Sequence, residues 1–130
     1  MKNVIIIGGH VQALGIARIL GKLDFNITIL DSTIFNLARH SKFCENFIKY
    51  KKDHLLKKLV KIGKTKEYQD SIVFPTNDLH VGVLSNNKEL LSKYFTIAAD
   101  DWSSVEKSYN KRLTYQIASD LNIPIAKTWV

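Results

Sequence analysis

Cysteine occurs once, at Cys44, so no disulfide can form within these 130 residues. Such sparing use fits a reducing compartment, and a cytoplasmic protein is expected. Cys44 lies in "SKFCENFIKY", mostly apolar once its charges are set aside, and reads as a buried structural thiol rather than a nucleophile. Long apolar runs are missing as well: none approaches the ~20 residues of a membrane span. The first run is cut short by Gly8-Gly9-His10, and no secretory signal is visible. Repeats and low-complexity linkers are absent. Hydrophobic residues at 45% and charged residues at 24% are ordinary globular proportions, which argues against disorder. A chain of this length can bury about two thirds of its unfolded surface, enough for one independent core.

Acidic residues are in short supply. Twelve Asp and Glu stand against nineteen Lys and Arg, for a net charge of +7 and a pI near 9.5. The carboxylates are scattered; Asp100-Asp101 are adjacent and read as a helix cap. His40, His54 and His80 have no metal-ligand spacing and read as structural or exposed, so no metal site is expected. The positive excess is concentrated instead. Lys49, Lys51, Lys52, Lys57, Lys58, Lys61, Lys64 and Lys66 follow closely on one another. No aromatic residues interleave with them as base-stacking would require, which disfavours nucleic acid as a partner. A solvated helix face with its flanks is one reading of these lysines, and an anion-binding surface is the other.

Strand and helix signals alternate. Val4 to Ile7 is a continuous β-branched run, the pattern of a strand buried on both faces. Val11 to Lys22 follows with helical apolar spacing at Val11, Leu14, Ile16, Ala17, Ile19 and Leu20. "NITIL", Asn26 to Leu30, is a second strand ending on Asp31. A right-handed β-α-β unit with parallel strands is expected. Asn46 to Lys49 is an ambiguous short strand. "DHLLKKLVKIGK" is a helix that Asp53 can cap and Gly63 can end, with Leu55, Leu56, Leu59, Val60 and Ile62 as its apolar stripe. "SIVF", Ser71 to Phe74, is a third clear strand closed by Pro75. A helix starts near Asn77 or Asp78, "KELLSKYF" makes another, and "TIAA" is a weak strand. "ADDWSSVEKSY" reads as a capped helical turn. The last helix should turn Leu113, Ile117, Ala118 and Leu121 inward, before Pro124 and an extended tail. Alternation of this kind predicts an α/β fold, a Rossmann-like open parallel sheet with helices on both faces.

The turn after the first strand reads "IIIGGHVQALG". A dinucleotide fingerprint needs glycines at its first, third and sixth positions. Counted from Gly8, His10 and Ala13 fall there; counted from Gly9, Val11 and Leu14 do. The middle position matters most, because a side chain there holds the backbone away from a pyrophosphate. The P-loop pattern is missing too, since no Gly-Lys-Ser/Thr follows. What remains is a tight strand-to-helix turn whose first helical N–H groups favour an anion. Gly15 is expected to let the helix pack closely on the sheet. Ligands of open parallel sheets bind beyond the carboxyl ends of the strands. Those ends offer Gly8, Gly9 and His10, then Asp31, then Thr76 and Asp78, which together form the candidate substrate rim. Asp31 stands where dinucleotide folds grip ribose hydroxyls, or it caps a turn; Asp78 is also a candidate N-cap.

Four segments, "IIIGGHVQALGIARILG", "ILDSTIFNLARHSKF", "VFPTNDLHVGVLSNNKELL" and "NKRLTYQIASDLNIPIAKTW", cover nearly the whole chain in order. Together they resemble the N-terminal part of ATP-grasp carboxylate–amine ligases, in the D-aspartate-ligase-like and carbamoyl-phosphate-synthase-like branch. In the last segment Asn110 and Asn122 stand where that family has an acid and a glycine, and Ala126 replaces its second proline. The resemblance implies a pre-ATP-grasp domain over residues 1–108 and the truncated start of the ATP-grasp region over 109–130. It further implies that residues 1–108 help hold a small carboxylate substrate and that Lys111 contacts nucleotide phosphates. ATP and Mg2+ would be used by the full-length enzyme, which phosphorylates a carboxylate and lets an amine attack the acyl phosphate. This stretch alone is expected to be inactive, with no cofactor bound, because the C-terminal ATP-grasp lobes are its missing partners. Apolar residues from Ile123 to Val130 could then support a homodimer. Two other readings stand beside this one: an NAD(P) or FAD dinucleotide-binding module, and a stand-alone binding or regulatory domain using the lysine-rich helix.

Overall fold

Four consecutive β-branched residues cannot hide one apolar stripe as a helix would; they need cover on two sides. β1 (Asn3–Ile7) obtains it at the centre of a five-stranded sheet in the computed structural model, which describes residues 2–126. The other strands are β2 (Asn26–Asp31), β3 (Cys44–Lys49), β4 (Ile72–Pro75) and the two-residue β5 (Thr96–Ile97). They lie in the order β3-β2-β1-β4-β5, and every pairing is parallel. Val4 is in register with Ile27 on one side and Ile72 on the other.

The period of two along β1 divides the core. Ile5 and Ile7 enter one apolar cluster with Leu30, Leu59, Val73, Leu84 and Leu91, while Val4 and Ile6 enter another with Ala13, Ala17, Ile27 and Ile29. Each fully buried Ile or Leu contributes about 1.5–3 kcal/mol by leaving water. α1 (Val11–Gly21) covers the second cluster and buries only Ala13 and Ala17, one turn apart, so the helix lies close to the sheet. α2 (Leu55–Gly63), α3 (Asp78–Asn86) and α4 (Lys88–Leu91) cover the first. Both faces are thus clad, as the sequence predicts. α5 (Trp102–Tyr109) packs on α3, and α6 (Lys111–Asp120) packs on α5. No helix among the described residues is long and apolar enough to cross a membrane.

Several local expectations change. Gly15 faces open space, with nothing within 4 Å of a Cβ placed there. The close approach belongs to Gly21, where a Cβ would lie 2.5 Å from Phe43 Cβ. Val11 and Ile19, two members of the apolar spacing that marked the helix, are exposed. Asp53 does not cap α2; it takes a left-handed φ of 65° and turns the chain toward the helix, whose N-cap is His54. Gly63 is the last residue of α2, not its stop signal, and it is buried against the Tyr94 ring. Cys44 is half-buried on an edge strand, its Sγ–H donating to the Asn46 carbonyl at 3.2 Å, and burial pushes its thiol pKa up. On α6, Leu113, Ile117 and Ala118 are half-buried, whereas Leu121 is exposed. The run Asn122 to Ala126 is exposed, and Lys127 to Val130 lie outside the described residues.

The two α1 glycines separate these packing roles. Gly15→Ala should raise stability by about 0.5–1 kcal/mol through helix propensity alone. Gly21→Ala should lower it by about 1–3 kcal/mol, because the Phe43 side chain must move. Chemical denaturation midpoints of the two variants read the difference, and equal shifts would contradict the assignment.

Candidate functional site

Strand order in the sheet switches sides at β1: β2 and β3 build outward on one side, β4 and β5 on the other. Ligands of open parallel sheets bind at such a switch point, beyond the carboxyl ends of the two diverging strands. Here those ends are Gly8-Gly9-His10 after β1 and Thr76-Asn77-Asp78 around the start of α3. The structure therefore brings Gly8, Gly9, His10, Thr76 and Asp78 to one rim, with Asp31 beside them at the end of β2.

Hydrogen bonds fix this rim. Gly8 has a φ of 89°, which side chains rarely tolerate, and its N–H donates to the Leu30 carbonyl at 2.8 Å. A Cβ on Gly8 would collide with Thr76 Oγ1 and come within 2.9 Å of His80 Cε1. The Thr76 hydroxyl donates to the Ile7 carbonyl at 2.6 Å, tying the ends of β4 and β1. The Asp31 side chain is buried. Its Oδ2 accepts the Gly9 N–H at 2.8 Å and its Oδ1 accepts the Thr33 N–H at 3.2 Å. Asp31 is thus a turn cap, and a glycine-turn donor is already spent on a carboxylate. Asn36 packs where any Gly9 side chain would go. His10 is the exposed N-cap residue of α1, and its side chain makes no cap hydrogen bond. Asp78 is exposed in the first turn of α3; the cap is Asn77, whose Oδ1 accepts the His80 N–H at 2.9 Å. Lys111 is exposed at the start of α6, which Asn110 caps through the Arg112 and Leu113 N–H groups.

Next to the rim opens a cleft of about 500 Å3, roofed by the starts of α2 and α3. Ser32, Tyr50, Leu55, Asn77, His80 and Val83 line it, among others. None of the six rim residues named from sequence faces into it; their chain neighbours Ser32 and Asn77 do. Two lining groups escaped the sequence reading. His80 is buried, the structural of the two readings: its Nε2 lies 3.4 Å from the Tyr50 hydroxyl and 3.5 Å from Asn77 Nδ2, while its Nδ1 has no hydrogen-bond partner. Burial lowers the His80 pKa against the pull of Asp31 and of the Ile7 carbonyl, which already accepts from Thr76. Burial raises the Tyr50 pKa, and Asp31 adds to the rise. A neutral imidazole and a phenol at a cleft wall can exchange hydrogen bonds with a polar ligand. A sequence signal for His80 did exist: it stands three residues after an Asn N-cap, in a helix opening onto the strand ends.

No family model matches the sequence, and no curated protein matches it. Among solved structures, the chain is similar to N5-carboxyaminoimidazole ribonucleotide synthetase from Thermotoga maritima. The TM-score is 0.66 at 18% identity, over 98% of this chain and 32% of that one. At such identity the likeness establishes the fold. The chain spans about a third of the length of the structure it matches.

Two outcomes follow from the site chemistry. Asp31→Ala should cost about 1–3 kcal/mol, since the buried Gly9 N–H loses its acceptor. For His80, the folded state resists protonation, so unfolding takes up a proton once pH falls below the ordinary value of 6.5. Stability should decline as pH drops through that region, and His80→Gln should shrink the decline in urea midpoint between about pH 7.5 and 5.5. An unchanged pH slope in His80→Gln would contradict this.

Proposed function

We propose that residues 1–108 are the substrate-side, pre-ATP-grasp domain of an ATP-dependent carboxylate–amine ligase. Residues 109–130 are then the start of its ATP-grasp region. One observation carries the reading: the likeness to a synthetase runs through 98% of this chain. The motif resemblance supports it from an independent direction. In the full-length enzyme ATP would phosphorylate a small carboxylate, and an amine would then displace phosphate from the acyl phosphate.

Gly8, Gly9 and His10 at the head of α1, with Thr76 and Asp78 across the switch point, are the residues we assign to that substrate. Backbone N–H groups of the first α1 turn suit a carboxylate there. Asp31 would act indirectly, holding the Gly9 amide and the turn in place. Lys111 is assigned to the nucleotide phosphates. A magnesium ion for phosphoryl transfer needs clustered acidic ligands. The described residues include no group of His, Cys, Asp or Glu able to hold a metal, so no step of the transfer is assigned to them. Exposed Leu121, Ile123 and Ile125 would meet the ATP-grasp lobes, or a second copy when those lobes are absent.

A dinucleotide module keeps one specific argument, the parallel sheet with its glycine turn. Against it stands His10 at the middle fingerprint position, where a side chain holds the backbone away from a pyrophosphate. The experiment compares the 130-residue chain with a chain that includes the ATP-grasp lobes. The short chain should show no ATP turnover, and the longer one should hydrolyse ATP only with a carboxylate acceptor present. Turnover by the short chain, or micromolar NADH binding by fluorescence titration, would overturn the proposal.

A further inference from the structure

The lysines clustered in the sequence are not spread evenly over a solvated surface. Lys49 ends β3 and Lys51 follows it, while Lys57, Lys58 and Lys61 project from one side of α2. With His54 and Tyr50 they line a concavity of about 240 Å3, and none of its lining residues is acidic. Among the described residues the ion pair joins Lys88 to Asp101, so these five ammonium groups have no carboxylate partner there. Lys57 and Lys61 are four residues apart on a helix, where like charges repel by a few tenths of a kcal/mol. An unpaired cationic hollow of this kind is relieved by a counter-ion of high charge density.

We infer that this hollow binds a small anion carrying two or more linked phosphate groups. Three features select that class. Lysine ammoniums are compact, strongly hydrated point charges that suit phosphate oxygens, whereas bidentate recognition of a single planar carboxylate favours arginine. Five of them exceed what a monovalent anion could balance. Of the two rings in the lining, Tyr50 is 7% exposed, which leaves the lone His54 imidazole where a nucleic-acid strand would need a row of stacking faces. The hollow is separate from the substrate rim assigned above and shares only Tyr50 with the larger cleft. It does not depend on that assignment.

Titration calorimetry of the 130-residue chain with inorganic pyrophosphate and tripolyphosphate tests the inference. Binding should weaken at least ~5-fold between about 50 and 200 mM salt, through screening of the charge attraction. The Lys57→Ala/Lys58→Ala/Lys61→Ala triple variant should lose at least ~10-fold in affinity. The Lys64→Ala/Lys66→Ala double variant, whose side chains lie outside the hollow, should change less than ~2-fold. Thermal melts of both variants confirm that each is folded. Three results overturn the inference: no binding of either phosphate at millimolar concentration, equal losses in the two variants, or tighter binding of a single-stranded oligonucleotide than of tripolyphosphate.

Discussion

β1 is hydrogen-bonded on both edges and covered on both faces, and the rest of the molecule accommodates that confinement. A strand so enclosed can leave the sheet only at its end, through a turn sharper than most side chains allow. Gly8 makes the turn at positive φ, and its neighbours close around it. Leu30, Asp31 and Thr76 each spend a polar group on the Ile7–Gly9 backbone. The rim of the candidate site is therefore an extension of the sheet ladder in side-chain form. Its rigidity comes from the same hydrogen bonds that satisfy buried backbone. A ligand there would meet preset geometry, with little ordering left to do on binding.

Much of this was readable from residue order, for a physical reason. Parallel strands buried on both faces leave apolar, β-branched runs: Val4–Ile7 and Ile72–Phe74 are unbroken, and Ile27–Leu30 is interrupted only by the β-branched Thr28. β3 was harder. Its residues are exposed or half-buried on an edge, so little of it needs to be apolar, and its register with β2 shifts between Ile27 and Thr28. Glycine roles were misjudged because spacing within a helix does not say what lies opposite. Gly15 and Gly21 look alike in sequence, and only tertiary packing places Phe43 against one of them. The cleft was legible at its border but not in its wall. Tyr50 and His80 are brought together over thirty residues of chain by the passage from β3 through α2 to α3, which local pattern cannot register.

Charge is distributed unevenly around the carboxyl ends of the strands. Near β1 and β2 the buried Asp31 carboxylate sets the local field, and it acts on both His80 and Tyr50. Toward β3 and α2 the sign inverts within a few residues, where lysines crowd around the back of the same tyrosine. Tyr50 is thus the partition between the cleft that holds the buried His80 imidazole and the cationic hollow. Its burial keeps the phenol neutral, so the partition itself carries no charge across the physiological range.

The open margins of the sheet have a separate consequence. One margin, β5, has two paired residues, too few to template another strand. The other, β3, is six residues long but displays Glu45 and Lys49 to solvent, with Lys42 just before it. Unpaired peptide groups on such a border invite stacking of copies into fibrils, and charge along it makes that approach costly. Edge-to-edge zipping of one copy onto another along β3 is accordingly disfavoured, even though apolar side chains lie bare elsewhere on the surface.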